Sequence, residues 1–563
     1  MPTLNWIGKD KVVSHHQDVP YRVLEHKYGF TADPSTGSGC EQTEPTQSGN
    51  KIIHGDNLEA LKSLLPEYEG KVKCIYIDPP YNTGNEGWTY NDNVNHPKIK
   101  KWLDETLKAK EQDKVAAIGV DDLTRHDKWL CMMYPRLKLL HKLLDDNGAV
   151  FISIDDNEQA NLKLIANEIF GETNFIGEFI WTRKKKGSFL SKKIRKMTEY
   201  VLCYQKNGNE NLELYGEDAY SDKWQPIVKR TNSKKTLSIK KNIIETTLKN
   251  GTYNAGFKGK VGTGINFLND FEVKNNIVVT QIEMEGNFVW TQEFLDSELS
   301  QGTRISLSTK FGFNVLRHNQ GEKFKAPSTI LSSEVGIGTN EDASQDLTTI
   351  FDSEMGTSFN YSKPASLVEF LTKSITYNDL NAVVLDSFAG SGTTAHAVLN
   401  LNKQDGGNRK FILVEMEDYA NTITAERVKR VTKGYGTGAK AVAGTGGAFD
   451  FYELGLPLFD ENQNLNEQVG LAKIREYIWF SETRTSFSEP NKEPYFLGKK
   501  DESAYYFIYE KDRLTTLDFD ALELIKTKGE QYVIYADNCL LPKDFMAKKN
   551  IIFKKIPRDI TRF

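Results

Sequence analysis

Short apolar runs alternate with longer amphipathic segments along residues 51–156. The runs KIIH and VKCIYI flank a segment with helical spacing at 57–65, and between 127 and 144 apolar residues such as Leu130, Met133 and Leu137 recur every three or four positions. Another apolar run, GAVFISI, follows. This alternation of buried strands and helices predicts an α/β fold, in which helices cover a parallel sheet.

The alternating pattern stops after Trp181 and resumes near Lys363. Residues 183–260 are crowded with Lys and Arg, and 261–356 mix polar loops with short possible strands. From 365 onward the order is a helix, the strand AVVLDSF, a helix beginning at Thr393 and the strand KFILVEME. The economical interpretation is a single sheet split by an inserted domain.

Composition refines the domain boundaries. Residues 31–50 are rich in Pro, Ser, Thr and Gly, which predicts a linker, and 436–447 read as a flexible junction. The predicted segments are an arm and linker, the first half of the sheet, the insertion, the second half, and a C-terminal unit without an identifiable catalytic motif. Their bounds are 1–50, 51–181, 182–355, 356–435 and 436–563.

Overall composition is that of a multidomain globular protein. Of 563 residues, 39% are hydrophobic and 26% charged, with a net charge of -5 and no apolar run near the roughly 20 residues that span a bilayer. The first nine residues lack the features of a secretory signal, so we expect a cytoplasmic protein. Five widely separated cysteines without a CxxC pair predict reduced thiols and no metal site.

The sequence Asp78, Pro79, Pro80, Tyr81 directly follows the strand CIYI, where α/β sheets place their ligand crevices. Two prolines restrict the backbone and hold the Asp78 carboxylate and the Pro79 carbonyl as fixed acceptors. Together they could accept both N-H groups of an exocyclic amine and orient its lone pair, and Tyr81 adds a stacking surface. The alternative is an ordinary proline-containing turn.

A second strand runs into a glycine-rich turn and a helix in DSFAGSGTT, residues 386–394. Gly390, Gly392 and Ala395 fit the GxGxx(G/A) pattern for close approach to a nucleoside, and Glu415 ends the next strand, where a carboxylate can bind ribose hydroxyls. A nicotinamide or flavin nucleotide would satisfy this pattern as well as an adenosyl cofactor. The loop alone leaves the choice open.

Together these motifs resemble the amino-group DNA methyltransferases, whose hallmarks are DPPY and FxGxG. The order, with the DPPY half first, is that of the β class, a circularly permuted Rossmann-like S-adenosylmethionine-dependent methyltransferase fold with an inserted target recognition domain. The sequence is most similar to modification (Mod) subunits of Type III restriction-modification systems, through HGDNLEALKSL, YIDPPYNTGN, WLCMMYPRLKLL, GAVFISIDDNE and LDSFAGSGTTAHAVL.

The resemblance implies roles for individual residues. Asp78 and the Pro79 carbonyl would hold the target amine while Tyr81 stacks on the extruded base, and the DPPY form favours adenine over cytosine. Two of the implied cofactor contacts have structural alternatives: Asp56 could cap the helix beginning at Asn57, and Lys363 could be a solvated charge. The implied S-adenosylmethionine contacts are Asp56, Lys363, Pro364, Asp386, Phe388, Gly390, Gly392, Thr393 and Glu415.

A basic segment in 181–206 contains a single acid, Glu199, and is a candidate for phosphate contacts. A solvated basic loop is the alternative, and the position inside a split methyltransferase sheet favours DNA. Base readers would lie further along; Asn232, Asn254, Trp224 and Tyr253 are candidates. The predicted DNA contacts are Arg183, Lys184, Lys185, Lys186, Lys192, Lys193, Arg195 and Lys196.

The function implied is site-specific N6-adenine methylation of double-stranded DNA by base flipping, within a Type III restriction-modification system. No GxxxxGK(S/T) phosphate loop occurs, so we expect a separate restriction (Res) subunit to use ATP, and resemblance implies a homodimer. The chemistry needs no metal. Alternatives are a catalytically inactive DNA-specificity module, or N4-cytosine or RNA methylation at the same site.

Overall fold

The computed structural model describes residues 3–33, 35–83, 120–187, 192–208, 212–218, 224–318, 324–351, 362–460, 462–490 and 493–562. These residues form two compact units: Tyr215–Pro327 is one, and Met1–Leu214 with Ser328–Phe563 is the other. Within the described ranges, no helix is both long and apolar enough to cross a membrane.

One large sheet organises the larger unit. Its strands in chain order are β1 (Arg22–Asp33), β2 (Ser38–Gln42), β3 (Lys51–His54), β4 (Val72–Ile77), β5 (Leu144–Ile154), β6 (Phe175–Thr182), β7 (Thr198–Gln205), β8 (Ile330–Leu331), β9 (Val383–Asp386), β10 (Lys410–Glu415) and β11 (Gly447–Pro457). Their order across the sheet is β2-β1-β11-β3-β10-β9-β4-β5-β7-β6-β8.

The central strands are parallel, and the late ones insert between the early ones. β9 pairs with β4 and β10 pairs with β3, all parallel, so the second half of the chain fills the gap left between β3 and β4. Their central residues are buried on both faces, which explains the continuous apolar runs. The predicted α/β fold with a permuted, split sheet is confirmed.

Helices cover both faces of this sheet and carry the apolar spacing seen in the sequence. Leu137 and Leu140 are fully buried in one core cluster, whereas Leu367, Val368 and Leu371 are fully buried in another. The helices flanking the central strands are Asn57–Tyr68, Val120–Leu143, Gln159–Phe170, Ala365–Thr376, Thr393–Asp405 and Glu426–Lys433. Smaller helices lie at Lys9–Val12, His15–Asp18 and Asn340–Ile350.

The first 50 residues contain ordered strands where composition predicts an arm and linker. β1 pairs antiparallel with β11 from Arg22 to Ala32, and β2 pairs with the end of β1. β1 therefore has its partner more than 400 residues away, in the segment predicted to begin the C-terminal unit. Local composition cannot reveal a strand that is specified by such distant pairing.

The inserted compact unit is shorter than the predicted segment 182–355. β7 belongs to the large sheet, where it lies antiparallel to β5, and its residues Val201, Leu202 and Cys203 are fully buried. The many lysines just before β7 led the sequence analysis to assign this apolar run to the insertion. The predicted boundary at 355/356 lies outside the described residues.

The inserted unit is mostly β-structure around its own apolar core. One sheet contains Lys235–Ile239, Ile282–Gly286, Ile265–Phe267 and Gly256–Lys258; another contains Gly251–Tyr253, Phe271–Lys274, Ile277–Val278, Ile244–Thr246, Arg304–Leu307, Phe313–Leu316 and Gln225–Pro226. A two-stranded ribbon joins Glu217–Asp218 to Phe324–Lys325, and the helix is Gln292–Ser300.

The C-terminal residues form a smaller α/β layer. Its sheet contains Phe496–Lys500, Ser503–Phe507, Gln531–Ala536 and Ile551–Lys555, the last three parallel. A two-stranded pair joins Thr516–Leu517 to Asn538–Cys539. The helices are Leu471–Thr483, Phe519–Leu522 and Lys543–Lys548.

Phe30→Ala tests whether the N-terminal strand is part of the core. Phe30 is buried and its ring lies 5.6 Å from that of Phe449 on β11, so truncation should lower the free energy of unfolding by about 3 to 5 kcal/mol. The measurement is denaturant unfolding, with the exposed neighbour Thr31→Ala as control, which should change it by about 0.5 kcal/mol or less. If Phe30→Ala had the same free energy of unfolding as the wild type, β1 would not be part of the core.

Candidate active site

Four parallel strands end at one edge of the sheet and bring the sequence motifs together. β3 leads to Asp56, β4 to Asp78, β9 to the glycine loop and β10 ends at Glu415. The two halves of the chain touch directly here, because the Lys363 ammonium donates to both oxygens of Asp78 at 2.8 and 2.7 Å. This edge is the ligand crevice of an open α/β sheet.

The residues of the DPPY tetrapeptide are held by contacts on each side. Asp78 Oδ1 accepts from the Tyr81 hydroxyl at 2.8 Å, and the Pro80 carbonyl accepts from the Trp129 indole at 2.7 Å. Pro79 is buried, whereas 23% of the Asp78 side chain remains exposed. The carboxylate is thus rigidly placed and still within reach of a ligand.

Lys363 lies on the DPPY residues, while the resemblance implied that it flanks the cofactor. Its ammonium is also 4.9 Å from the centre of the Tyr81 ring, and its backbone carbonyl accepts from the Thr393 hydroxyl at 3.4 Å. Burial on its own would lower the pKa of Lys363, but the carboxylates of Asp78 and Glu199 outweigh it and raise the pKa. The lysine is a buried counter-ion, so the solvated-charge alternative does not describe it.

Glu199 joins the same cluster and was missed as a site residue by sequence reasoning. It is buried on β7, and its Oε2 accepts from the Tyr81 hydroxyl at 3.1 Å and lies 3.7 Å from the Lys363 ammonium. Its other oxygen accepts from Arg183 at 2.6 Å. The available signal was its isolation, as a single acid among the basic residues of 181–206.

A second buried carboxylate supports the residue that follows the tetrapeptide. Asn82 has a positive φ of 59°, and its side-chain amide donates to Glu158 at 2.5 Å. Glu158 also contacts His126 Nδ1 at 2.5 Å and accepts from Asn161 at 2.8 Å. Glu158 therefore fixes the chain as it leaves the site.

The glycine-rich loop after β9 is held by carboxylates. Asp386 accepts from the Phe388 amide at 3.0 Å and the Thr394 hydroxyl at 2.5 Å, and Glu415 accepts from the Gly390 amide at 2.7 Å. Gly390 and Gly392 have positive φ values of 52° and 84°. A Cβ added at Gly392 would lie 3.0 Å from the Thr424 carbonyl, so both conformation and space require glycine there.

Two carboxyl groups at this loop have raised pKa values. Burial raises the pKa of Asp386 to about 7, although hydrogen bonds from Thr394 and Phe388 lower it. Burial likewise raises the pKa of Glu415 to about 7, against hydrogen bonds from the Glu417 and Gly390 amides. Raised carboxyl pKa values in a crevice are typical of a functional site.

The remaining predicted cofactor residues have mostly structural contacts. Asp56 caps the helix Asn57–Tyr68, since its Oδ1 accepts from the Leu58 and Glu59 amides at 2.9 and 3.0 Å; its Oδ2 lies 3.4 Å from Arg136. Pro364 immediately precedes the helix Ala365–Thr376. Thr393 accepts from Arg427, a buried residue of 426–433 that no sequence pattern singled out.

The predicted phosphate contacts divide into paired and exposed cations. Arg183 pairs with Glu199, Lys185 with Asp342 and Lys196 with Asp156. The last two pairs are solvent-exposed, and they can be exchanged for phosphate at little energetic cost. The other cations have no acidic partner among the residues that the structure describes. Lys184 is half-buried, and the exposed ones are Lys186, Lys192, Lys193 and Arg195.

The candidate base readers in the inserted unit differ in availability. Asn232 donates to the Phe288 carbonyl at 3.3 Å, and the Tyr253 ring stacks on Phe271 with centroids 5.2 Å apart. Asn254 and Trp224 are exposed, and the Arg304 guanidinium lies 5.7 Å from the Trp224 ring. Asn254 and Trp224 are therefore better placed to contact a ligand than Asn232 and Tyr253.

Comparison with known proteins defines the class. The family described as DNA methylase matches residues 72–426, a span that contains both the tetrapeptide and the glycine loop. The chain therefore belongs to this DNA methylase family.

Curated relatives agree with the family assignment. The Type III StyLTI Mod subunit of Salmonella typhimurium is 34% identical over 66% of this chain and 53% of its own length. The EcoPI Mod subunit of Escherichia phage P1 is 30% identical over 74% of this chain and 64% of its own length. The Type II methyltransferase M.KpnI of Klebsiella pneumoniae is 29% identical over 70% of this chain and 85% of its own length. The match thus spans about half to two thirds of those two Mod subunits.

Asp386→Asn should weaken the dependence of stability on pH. The folded carboxyl holds its proton up to about pH 7, whereas the unfolded group releases it near 3.8, so its contribution to stability is complete below that value and is lost as pH rises through about 7. Melting temperature measured from pH 5 to 8 should fall less in the variant than in the wild type. The control is Asp544→Asn, at an exposed position, which should show the same change of melting temperature with pH as the wild type. An unchanged slope in Asp386→Asn would show that Asp386 is ionised throughout.

Proposed function

We propose that this protein transfers a methyl group from S-adenosylmethionine to the N6 amine of adenine in double-stranded DNA. One observation carries the proposal: the Asp78 acceptor site and the Gly390–Gly392 loop meet at the same edge of the sheet, with Lys363 bridging the two halves. A site for an amine therefore adjoins a site shaped for a nucleoside. Family membership favours the same chemistry.

The residues of the loop fit an adenosyl cofactor. Positive-φ glycines allow close backbone approach, Glu415 offers a carboxylate for ribose hydroxyls, and the buried Ser387 hydroxyl has no hydrogen-bond partner among the described residues. Phe388, half-buried beside the loop, can contact the adenosine. When bound, S-adenosylmethionine supplies an electrophilic methyl group. Asp386 and Thr393 would act by holding the loop, and Asp56 by capping the adjacent helix.

The tetrapeptide would bind and orient the amine. Asp78 and the Pro79 carbonyl accept its two N-H groups, which directs the nitrogen lone pair away from both acceptors. The Tyr81 hydroxyl is shared between Asp78 and Glu199, which holds in place the ring on which the base would stack. An amine in a duplex is paired and stacked, and extruding the base costs a few kcal/mol that these contacts must offset.

Residues 182–355, and within them the compact unit Tyr215–Pro327, would recognise the target sequence. Residues 229–260 contain nine Lys or Arg and a single acid, Glu245, which suits contact with phosphates. Exposed Trp224 and Asn254 are available for base contacts. The two flanking segments, 51–181 and 356–435, would form the catalytic and cofactor halves, and the exposed lysines of 184–196 would add salt-dependent affinity.

As a biological role we propose the modification and recognition subunit of a Type III restriction-modification system. Two of the relatives described above are Mod subunits of such enzymes. The partners would be a second copy of this chain and a Res subunit that supplies ATP-driven cleavage, with residues 436–563 as a docking or DNA-contact region. A cytoplasmic location agrees with this role.

Transfer of labelled methyl from S-adenosylmethionine to PCR-amplified, unmodified DNA tests the activity. Digestion to nucleosides should place the label in N6-methyladenine. Asp78→Ala should abolish transfer while cofactor affinity, measured by calorimetry, stays within about twofold, because the residue contacts the amine and not the loop. Label in N4-methylcytosine would show that the substrate is cytosine and would contradict the proposed adenine specificity. No label from wild type with intact cofactor binding would favour a non-catalytic specificity module.

Cofactor affinity should rise between pH 6 and pH 8. Ribose hydroxyls donate to an ionised carboxylate, so binding favours the form of Glu415 that predominates above its pKa of about 7, and the affinity should increase about tenfold over that interval. Calorimetric titration of S-adenosylmethionine at several pH values provides the measurement. Glu415→Gln should bind more weakly and lose most of the pH dependence; retention of the full dependence would exclude Glu415 as its source.

A further inference from the structure

The Asp78 carboxylate is largely occupied before any amine arrives. Its Oδ1 accepts from both Tyr81 and Lys363, and its Oδ2 accepts from Lys363. A carboxylate offers about four lone-pair positions, so these three bonds leave one for a ligand. The ammonium of Lys363 also places a positive charge beside the position where the amine nitrogen becomes positive during methylation, which would oppose transfer.

A second carboxylate is positioned to take over both donors. Glu199 Oε2 lies 3.1 Å from the Tyr81 hydroxyl and 3.7 Å from the Lys363 ammonium. A shift of about 1 Å by the flexible lysine side chain would therefore form a hydrogen bond to Glu199 while releasing Asp78. Glu199 is buried, and Arg183 holds its other oxygen at 2.6 Å, so the acceptor cannot move away.

We propose that Glu199 is a positioning residue that receives the Lys363 ammonium and the Tyr81 hydroxyl when the target amine occupies Asp78. The inference rests on the proposed methyltransferase function and assigns a role within that site. Glu199 frees the acceptor, holds the Tyr81 ring in place and moves the positive charge away from the reacting nitrogen. It does not touch the substrate, and it acts through Lys363 and Tyr81.

The charge balance of the cluster predicts that a neutral residue does not replace Glu199. Two carboxylates, Asp78 and Glu199, balance two cations, Lys363 and Arg183. Without the Glu199 charge, Asp78 is the carboxylate of this cluster left to balance Lys363, and Lys363 would bind it more tightly. The lysine would then compete with the amine for Asp78, and the competing charge would remain beside the reacting atom.

The test is a double-mutant cycle of Glu199→Gln and Lys363→Met, with turnover, KM for DNA and cofactor affinity measured for each protein. Glu199→Gln should lower turnover by about tenfold to a hundredfold with cofactor affinity unchanged. Removing the lysine as well should restore part of the lost turnover, because the competing cation is gone. A purely structural role would give additive losses in the cycle.

Glu482→Gln is the matched control, because Glu482 also accepts from a tyrosine hydroxyl and a lysine ammonium, Tyr535 and Lys554, at 2.5 and 2.6 Å. It should keep wild-type turnover. Glu199→Asp retains the charge and should keep more activity than Glu199→Gln. Wild-type turnover in Glu199→Gln, or additive losses in the cycle, would overturn the inference alone. A wild type that transfers no methyl would overturn the proposed function together with it.

Discussion

The pairing of β9 with β4 is the constraint on which the site depends. These strands are separated by about 300 residues in the chain, yet their parallel ladder aligns Leu385 with Ile75 and so brings the glycine loop beside Asp78. Because successive side chains of a strand point to opposite faces, a slip of one residue would turn Asp386 away from Thr394 and the loop amide. Val384 and Leu385 are completely buried in the two different cores of the large unit, so the strand is held on both faces.

The site concentrates charge where a protein interior normally avoids it. Glu199 and Lys363 are buried together beside Asp78, which follows β4. Asp386 and Glu415 end the next two strands of the sheet, β9 and β10, and burial raises the pKa of both. Burying an ion pair contributes little net stability, since the desolvation cost offsets the attraction. In the proposed function these groups would orient an amine and a nucleoside, and the apolar strands beneath them provide the stability that the edge lacks.

Much of the fold and part of the site could be predicted from sequence, and the failures have physical causes. Apolar runs and helical spacing indicated the split parallel sheet because each element carries its own pattern. The strand β1 was missed because its partner, β11, lies more than 400 residues later in the chain. The phosphate contact of Arg183 stays a prediction. The structure pairs Arg183 with Glu199 across the β6–β7 hairpin, and the sequence does not reveal the register of that hairpin. Asp56 had two open interpretations, and only coordinates show the cap.

The strand order also governs when activity can first exist during synthesis. β3, near the beginning of the chain, lies between β10 and β11, so it remains without either neighbour until residues 410–457 have emerged. At typical rates of translation that interval lasts on the order of tens of seconds. A chain terminated before β9 would lack the glycine loop and both neighbours of β3, and so could not assemble the crevice. The crevice therefore has its full set of strands only after the chain has been translated through β11.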